Sequence, residues 1–395
     1  MPGKSLLEIG YIGRHANNIY NPLEINGVPW MMTLNGQSYA QAYDAIAAQL
    51  AAGATVTAQP FLESALAGSS FCAAPNTSCT AGVVSKFGSS FRNQQVTTVW
   101  NGIQPSFHFG PATASTSQVS STFFYWASAG WSNYNAGFIS YRTRAFKGLT
   151  LDANLTYAHS LDTRGLNQDV DTAASFSYNL AYDYGTSAFD RKVVFNLLGL
   201  YELPFGKNGH GPLNYAIQGW SIAPILNISS GLPLKVATGS GQEFGQGGGA
   251  NSAGAVLMTP DAFGNSVHSG IAGDSKTQVG INGSAATGGS GLNLFANPLA
   301  VFNAFRPAMV GVDATSGAGG QLRGLSRWNL DVALSRKFRF SERWSTTFSA
   351  QLFNAFNTVQ FADPSVSLQS PQSFGVLSSQ LNVPRIIQLG LHLDF

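Results

Sequence analysis

The two cysteines are the residues whose type and spacing most directly suggest chemistry. Cys72 and Cys79 lie close together in the loop-like segment CAAPNTSC, around Pro75 and Asn76. Such a pair forms a local disulfide in an oxidising compartment, or it remains as two free thiols. A zinc site would need more ligands, and no histidine lies nearby in the sequence. The close spacing favours the disulfide.

Signatures of catalysis and of cofactor binding are missing from the sequence. It contains no Gly-x-Ser-x-Gly and no His-Glu-x-x-His segment. The segment 245–250 (GQGGGA) formally matches a dinucleotide fingerprint, but no predicted strand precedes it and no helix follows it. The six histidines are dispersed along the chain. We therefore predict that the protein is not an enzyme and has no cofactor and no metal site.

One group of acidic residues could bind a cation. Asp152, Asp162, Asp169 and Asp171 gather around one predicted strand end and the loop that follows it. Carboxylate oxygens are the ligands that hard cations prefer. A solvated acidic loop is the simpler interpretation of this group, and it is the one we favour.

The composition argues against an ordinary soluble protein. Charged residues make up 10% of the 395-residue chain, against roughly 25% in average soluble domains. Aromatic residues make up 12%, and glycine accounts for 44 residues. The sequence has no run of about 20 apolar residues that would predict a membrane-spanning helix. The net charge is +2 and the basic residues are scattered, so we do not expect nucleic acid as a partner.

Strict alternation of apolar and polar residues recurs along the chain and is clearest at the C-terminus. Ile387, Leu389, Leu391, Leu393 and Phe395 alternate there with polar or small residues, which places them on one face of a strand. The segments 149–157, 328–335 and 344–352 show the same pattern. The segment 195–203 is less regular, because Leu198 and Leu200 fall on the other face. A membrane β-barrel hides its apolar residues in this way.

The pattern predicts about nine antiparallel strands whose connections alternate in length. The strands are expected at 4–13, 18–26, 131–146, 149–160, 189–203, 217–229, 325–340, 343–356 and 384–395. Short connections fall at 14–17, 147–148, 204–216 and 341–342, and long ones at 27–130, 161–188, 230–324 and 357–383. Short periplasmic turns and long extracellular loops are typical of an all-β transmembrane barrel, whereas a soluble β-sandwich has no reason to separate them.

The long connections and strand ends carry further expectations. Residues 37–52 have the spacing and alanine content of a short surface helix, and 238–320 have the composition of an irregular loop. If the short turns are periplasmic, the first of the nine strands begins outside the cell. Six aromatic residues near strand ends or on the apolar face suit the headgroup boundary of a membrane: Tyr11, Tyr157, Tyr201, Trp220, Trp328 and Trp344.

Several short segments, in this order, resemble the barrel domain of TonB-dependent receptors, in particular the Oar-like group. They are YNA at 134–136, YELPFG at 201–206, SGLP at 230–233, NLD at 329–331, FNAFN at 353–357 and NVPR at 382–385. The terminal segment 388–395 (QLGLHLDF) looks like the signal that the barrel-assembly machinery recognises. That resemblance implies assembly roles for Gln388, Leu389, Leu391, Leu393 and Phe395.

The resemblance implies an outer-membrane barrel that takes up a small ligand. Members of the family carry an N-terminal plug domain, through which the TonB system supplies energy, and barrels of about 22 strands. Neither a plug nor a secretory signal is visible in 1–395. We therefore expect this chain to be the C-terminal barrel part of a longer protein, in contact with outer-membrane lipid.

Three hypotheses about function remain open at this stage. The first is uptake of an iron chelate, a carbohydrate or a peptide through a TonB-coupled barrel. The second is a passive pore or an adhesin-like surface-interaction barrel without TonB coupling. The third is a soluble, secreted β-rich enzyme or binding protein, which would have to explain the segregation of long and short connections in another way.

Overall fold

The computed structural model describes ten segments of the chain. They are residues 4–24, 27–108, 124–163, 174–205, 211–238, 241–246, 254–259, 292–295, 297–313 and 322–395. The predicted cation-binding residues Asp169 and Asp171 lie outside the described residues, as do the greater part of 238–320 and positions 247–250 of the dinucleotide-like segment.

Long β-strands dominate the described residues, and helices lie only in the connections between them. In chain order the strands are β1 Lys4–Glu24, β2 Thr33–Leu34, β3 Gln37–Ser38, β4 Phe124–Phe146, β5 Leu149–Asp162, β6 Gly185–Thr186, β7 Val193–Glu202, β8 Trp220–Ser229, β9 Pro233–Leu234, β10 Val256–Leu257, β11 Phe305–Arg306, β12 Leu322–Arg323, β13 Arg327–Arg339, β14 Ser345–Phe353 and β15 Ile386–Asp394. The α-helices are α1 Tyr39–Ala51, α2 Pro60–Ala65, α3 Cys79–Arg92, α4 Val96–Ile103, α5 Pro212–Ile217 and α6 Pro298–Asn303.

One antiparallel sheet organises the chain. Its strand order is β1-β4-β5-β7-β8-β13-β14-β15, and β6 pairs with β5 beside this path. Each long strand therefore pairs with the next long strand along the chain, as in an up-and-down barrel wall. β1 and β15 are the two edges, and no pairing between them occurs within the described residues. The predicted fold class is confirmed, although the sheet is not closed.

The nine strands of the sheet differ from the nine that the sequence predicts. Residues 4–13 and 18–26 do not form two strands, because β1 runs without a break along β4. The predicted turn at 14–17 is wrong. Its place is taken by a register shift between Ala16 and Ile19, with Asn18 at φ 58°. An asparagine tolerates this left-handed backbone, so an irregularity bends the strand where we predicted a turn. The ninth strand is the short β6.

The two ends of the sheet reach the same rim. Lys4 pairs with Arg144, close to the β4–β5 hairpin, whose two-residue turn consists of Lys147 and Gly148, both at positive φ. Asp394 pairs with Ser345, beside the short β13–β14 turn. The expectation that the first strand begins at the rim of the long connections is therefore wrong. It fails because the supposed turn at 14–17 adds one reversal of the chain that does not exist.

Strand register gives the sheet an apolar face and a polar face. On the apolar face, Leu391 lies opposite Phe348, and Leu389 lies opposite Ala350. On the polar face, Gln388 lies opposite Gln351. Leu389 and Leu391 are 68% and 75% exposed, so at β15 this face has no protein cover within the described residues. Leu198 does fall on the polar face, as predicted, since it lies opposite Asp152.

The hydrophobic core lies in the long connections and not in the sheet. Among the described residues, the eight long strands contribute only Leu23, Ala136 and Ala158 to the buried apolar set. The remaining members, apart from Ala174, form two clusters that we call together the loop layer. The first cluster joins α1–α4 to Phe176, Tyr182, Phe244 and Val310, and the second joins residues 234–325 to Val366, Phe374 and Leu377. All four long connections therefore pack into one layer.

Residues 39–103 make a small helical unit within this layer. α1 starts at Ser38, whose hydroxyl and Gln41 form a capping box. The predicted helix at 37–52 thus exists, but it is not a surface helix, because Tyr39, Tyr43 and Ile46 are buried. α2–α4 were not predicted. None of the helices in the described segments is long and apolar enough to cross a membrane.

Asp44 connects this helical unit to the third long connection. Its Oδ2 accepts a hydrogen bond of 2.8 Å from the backbone N–H of Gly311, and its Oδ1 is buried without a hydrogen-bond partner among the described residues. Burial raises the pKa of Asp44 to about 6, with Asp313 adding to the rise. The Gly311 bond and Arg306 act in the opposite direction and only partly offset it.

The raised pKa makes the loop layer more stable in mild acid. Because the folded state binds the proton more tightly than the unfolded state, the stabilisation is complete below the unfolded pKa of 3.8 and is lost as the pH rises through about 6. The difference amounts to at most about 3 kcal/mol. We expect the helical circular-dichroism signal to melt at a higher temperature at pH 5 than at pH 7.

The substitution Asp44→Asn isolates this effect. The amide oxygen can still accept from Gly311 N–H but carries no charge, so the melting temperature of the variant should be nearly equal at both pH values and above that of the wild type at pH 7. An unchanged pH dependence in the variant would show that another group is responsible.

Candidate ligand-binding site

The cysteines lie far from the sheet, in the helical unit. Cys72 and Cys79 are joined by a disulfide, and Cys79 is the first residue of α3. The Glu63 carboxylate accepts hydrogen bonds from the backbone N–H groups of Cys79 and Thr80. A carboxylate at a helix N-terminus is favourably placed. The disulfide ties the 66–78 segment to the start of α3, and the Glu63 contact ties α2 to it.

The six predicted girdle residues all lie on the apolar face, in two rows. Strand register places Tyr11 and Tyr157 on either side of Gly137, and Trp328 opposite Ile228, toward the long connections. Tyr201 lies opposite Leu149 and Ile222, toward the short turns. Trp220 lies opposite Arg336, and Trp344 stacks on Phe395 with ring centroids 5.5 Å apart, also toward the short turns.

The spacing of the two rows is slightly less than the apolar band of an outer-membrane barrel. Trp328 and Arg336, the partner of Trp220, are eight positions apart on β13. That separation is about 26 Å along the strand, or about 20 Å along the normal of a barrel whose strands tilt by roughly 40°. Leu330, Val332 and Leu334 lie between the rows. An apolar band of about 25 Å between aromatic girdles is typical of outer-membrane barrels.

Arg336 is a buried cation on the apolar face, at the level of the aromatic row that lies toward the short turns. Its guanidinium donates to the backbone carbonyls of Tyr215 and Ala216 in α5. It also lies over the rings of Tyr215, Trp220 and Phe338, at 5.1, 5.8 and 4.2 Å from their centroids. Carbonyl acceptors and aromatic faces offset the cost of burying the charge. The arrangement holds α5 against the edge of the apolar band.

The C-terminal residues with a predicted role in assembly form the edge strand β15. Leu389, Leu391 and Leu393 lie on the apolar face and Gln388 on the polar face. Phe395 is 87% exposed. Their role in recognition by the assembly machinery stays a prediction.

A cavity of about 330 Å³ opens on the polar face, directly beneath the loop layer. Tyr134, Thr156, Ala158, Ser160 and Val194 form its wall on β4, β5 and β7, and the segment just before β7 closes one side: Phe189, Asp190 and Arg191. Tyr134 lies opposite Ser160 in the sheet, so the wall is continuous across β4 and β5.

Asp190 fixes the position of the segment that closes the cavity. Its carboxylate is almost fully buried and accepts a hydrogen bond of 2.7 Å from the backbone N–H of Ser160. It also pairs with Arg323 and lies 3.4 Å from Nδ1 of His159. Removal of one partner from such a buried pair leaves an uncompensated charge. The pair therefore couples the second long connection to the third.

Arginines outnumber carboxylates beside the cavity. Arg323 pairs with Asp190, and Arg327 pairs with Asp363 at 2.8 Å. Arg191 donates to Ser229 Oγ and Ser230 O, at 2.9 and 2.7 Å, but no carboxylate lies within ion-pair distance of it among the described residues. Burial and the charge of Arg327 lower the pKa of Arg191, and the charge of Asp363 only partly offsets this. This cluster of three arginines and two aspartates thus has one positive charge in excess. Among the described residues, the unpaired charge is on Arg191, which lines the cavity.

Sequence reasoning did not find this cluster. Asp190 comes from the second long connection, whereas Arg323 ends β12 and Arg327 begins β13, and Asp190 and Arg323 are 133 residues apart. The one available signal was the adjacent charged pair Asp190-Arg191, in a chain with few charges, at the start of a predicted strand. Asp152 and Asp162, which we considered for a cation, lie apart on β5, and no cluster of metal ligands occurs among the described residues.

The two faces, the girdle rows and the cover of long connections together define the wall of an outer-membrane β-barrel. A family model described as "Outer membrane beta barrel domain" matches residues 1–388, so the chain belongs to this family. The protein is therefore located in the outer membrane. A comparison with curated proteins found no match.

Solved structures of outer-membrane receptors are similar to the chain at low identity. BauA, the ferric preacinetobactin receptor from Acinetobacter baumannii, is 13% identical with a TM-score of 0.33, over 71% of this chain and 24% of that one. The ferric-catecholate import receptor Fiu from K12 E. coli is 12% identical with a TM-score of 0.29, over 68% of this chain and 22% of that one. The outer membrane transporter YddB from Escherichia coli is 9% identical with a TM-score of 0.31, over 69% of this chain and 26% of that one. The chain spans about a quarter of each of these structures.

The membrane-facing side can be tested on β13 with two adjacent positions. Val332 lies midway between the two aromatic rows on the apolar face, and Ala333 is its neighbour on the polar face. We expect Val332→Arg to cost roughly 2–4 kcal/mol of folding free energy in lipid vesicles, because the charge enters the mid-membrane region. Ala333→Arg should cost well under half as much, since its side chain faces water. Equal costs for the two variants would contradict the assigned faces.

Proposed function

We propose that the chain forms part of the wall of an uptake receptor, and that its ligand first binds in the cavity beneath the loop layer. The cavity supports this proposal, because it combines concave shape, the rings of Tyr134 and Phe189, and the excess positive charge of Arg191. Ligand sites are usually mostly apolar concavities with a few polar groups that fix orientation. A ligand with one anionic group fits this charge.

We further propose the orientation and the energy source of uptake. The long connections would be extracellular and the short turns periplasmic, as in other outer-membrane barrels. The protein would act as an Oar-like TonB-dependent receptor, coupled to TonB through a plug domain. The open edges β1 and β15 are compatible with this proposal, since unpaired strand edges in lipid cost several kcal/mol for each backbone group. Further strands would complete the barrel.

The packed loop layer favours gated uptake over a passive pore. Its two clusters bury large apolar side chains such as Phe61, Phe244 and Phe374 within the long connections, with no exposure to water. A passive pore needs an open aqueous path. A purely adhesive barrel would need only the outer surface of the layer and gives no reason for a charged cavity beneath it.

The proposal predicts a charge-selective loss of uptake when Arg191 is replaced. Porin-deficient cells that produce the complete protein would be given radiolabelled galacturonate, benzoate or glucose. Arg191→Gln should lower uptake of the acidic probes about tenfold, because a hydrogen bond to a charged group is lost. Arg339→Gln, an exposed arginine on the polar face near the short turns, serves as the control and should leave uptake unchanged.

Two outcomes would overturn the proposal. One is equal uptake of the acidic probes by wild-type cells and by cells that lack the protein. The other is acidic-probe uptake that persists after the proton-motive force is dissipated, which is the behaviour of a passive pore.

A further inference from the structure

A row of four asparagines crosses the polar face directly below the cavity. Asn154 lies opposite Asn196, Asn196 lies opposite Asn227, and Asn227 lies opposite Asn329. These residues belong to four neighbouring strands, β5, β7, β8 and β13. With strands about 4.8 Å apart, the row is about 14 Å long. We call it the asparagine row.

The asparagine row lies one polar-face position below the cavity. Thr156 and Val194, which line the cavity, are the next polar-face residues along β5 and β7 from Asn154 and Asn196. Two positions on a strand correspond to about 6–7 Å. A ligand held in the cavity can therefore touch the row without leaving Arg191.

The outer members of the row are oriented by carboxylates on their own strands. Asn154 Nδ2 donates to Asp152 at 2.7 Å, and Asn329 Nδ2 donates to Asp331 at 2.9 Å. Asp152 is itself held by Arg142 at 3.1 Å. These bonds fix which atom of each amide points away from the carboxylate, so the oxygen atoms of Asn154 and Asn329 remain as oriented acceptors.

The central members are free to bind a ligand. The side chains of Asn196 and Asn227 make no hydrogen bond within the part of the chain that the structure describes, and Asn227 is exposed. An asparagine ladder whose only purpose was to hold strands together would bond from amide to amide. Here each free amide offers two donors and an acceptor without any charge.

An apolar patch borders the row on its other side. Leu198 and Ile225 lie opposite each other on the polar face, 51% and 42% exposed, with Asp152 and Asp331 on their flanks. A sugar ring presents hydroxyl groups at its edge and C–H groups on its faces. Amides suit the hydroxyl groups, and Leu198, Ile225 and the rings above suit the C–H faces.

We propose that the asparagine row and the cavity above it together bind an acidic carbohydrate. The hydroxyl groups of the sugar bond to Asn196 and Asn227, its ring packs on Leu198 and Ile225, and its carboxylate pairs with Arg191. This assignment rests on the proposed uptake function and names the substrate class for the same site.

The test uses the purified complete protein in detergent with two probes, trigalacturonate and benzoate. Both carry carboxylates for Arg191, but only trigalacturonate carries hydroxyl groups. The double variant Asn196→Ala/Asn227→Ala should weaken trigalacturonate binding about tenfold or more, as expected for the loss of two or more neutral hydrogen bonds. It should leave benzoate affinity within twofold of the wild type.

Gln351→Ala is the matched control, because it removes an amide from the polar face on β14, away from the asparagine row. It should change neither affinity. Resistance to heat unfolding in gel electrophoresis establishes that each variant is a folded barrel before binding is measured.

The outcomes separate this inference from the function on which it rests. If wild-type protein binds benzoate but not trigalacturonate, or if the double variant weakens both probes equally or neither, the acidic-carbohydrate assignment is wrong and the uptake site at Arg191 still stands. If wild-type protein binds neither probe, the ligand site at Arg191 fails together with it.

Discussion

The register of the antiparallel strands is the constraint on which the rest of the structure depends. Because side chains alternate along a strand, the pairing of Val332 with Leu352 and Pro224 determines that every second residue of three strands shares one face. A slip by one residue would turn Leu389 and Leu391 toward the polar face and Gln388 toward lipid. The apolar face, the girdle rows and the asparagine row all follow from this single register.

The hydrophobic effect acts on two parts of the molecule in different ways. In the loop layer it drives ordinary burial, in which Tyr39, Phe61 and Ile46 are removed from water by other protein atoms. In the sheet the apolar side chains remain exposed at the protein surface, and lipid takes the place of a core. The loop layer can therefore stay folded in water at the rim of the sheet, whereas the sheet needs lipid to cover its apolar side chains. This division explains why, among the described residues, a chain with few charges carries most of its buried acidic groups, such as Asp44 and Asp190, in the connections, and the others, Glu24 and Asp162, at strand ends.

The sequence predicted what alternation and local composition can specify. Strands such as β5 and β15 were placed nearly to the residue, because their apolar positions recur with a period of two over eight or more residues. The continuity of β1 through Asn18 could not be predicted, since an irregular strand and a turn use the same residue types. α2 and α4 were missed because short helices are stabilised by tertiary packing more than by their own sequence. α3 was missed because its sequence, CTAGVVSKFGSSFR, is rich in glycine, serine and valine, which have low helix propensity.

The candidate site was hidden for a related reason. Each asparagine of the row is an ordinary polar residue on its own strand, and only the pairing of β5, β7, β8 and β13 brings the four side chains into line. The arginines beside the cavity likewise meet only when the second and third long connections pack together. Contacts between residues so far apart leave no local pattern.

The central claim is that one face of this sheet meets lipid and the other meets water. Single cysteines placed at each position from 346 to 352 on β14 would test it in native outer membranes, since Cys72 and Cys79 are already joined. We predict that a water-soluble maleimide labels positions 347, 349 and 351, whereas a lipid-dissolved reagent labels 346, 348, 350 and 352. Uniform labelling by the water-soluble reagent, or the opposite alternation, would contradict this account.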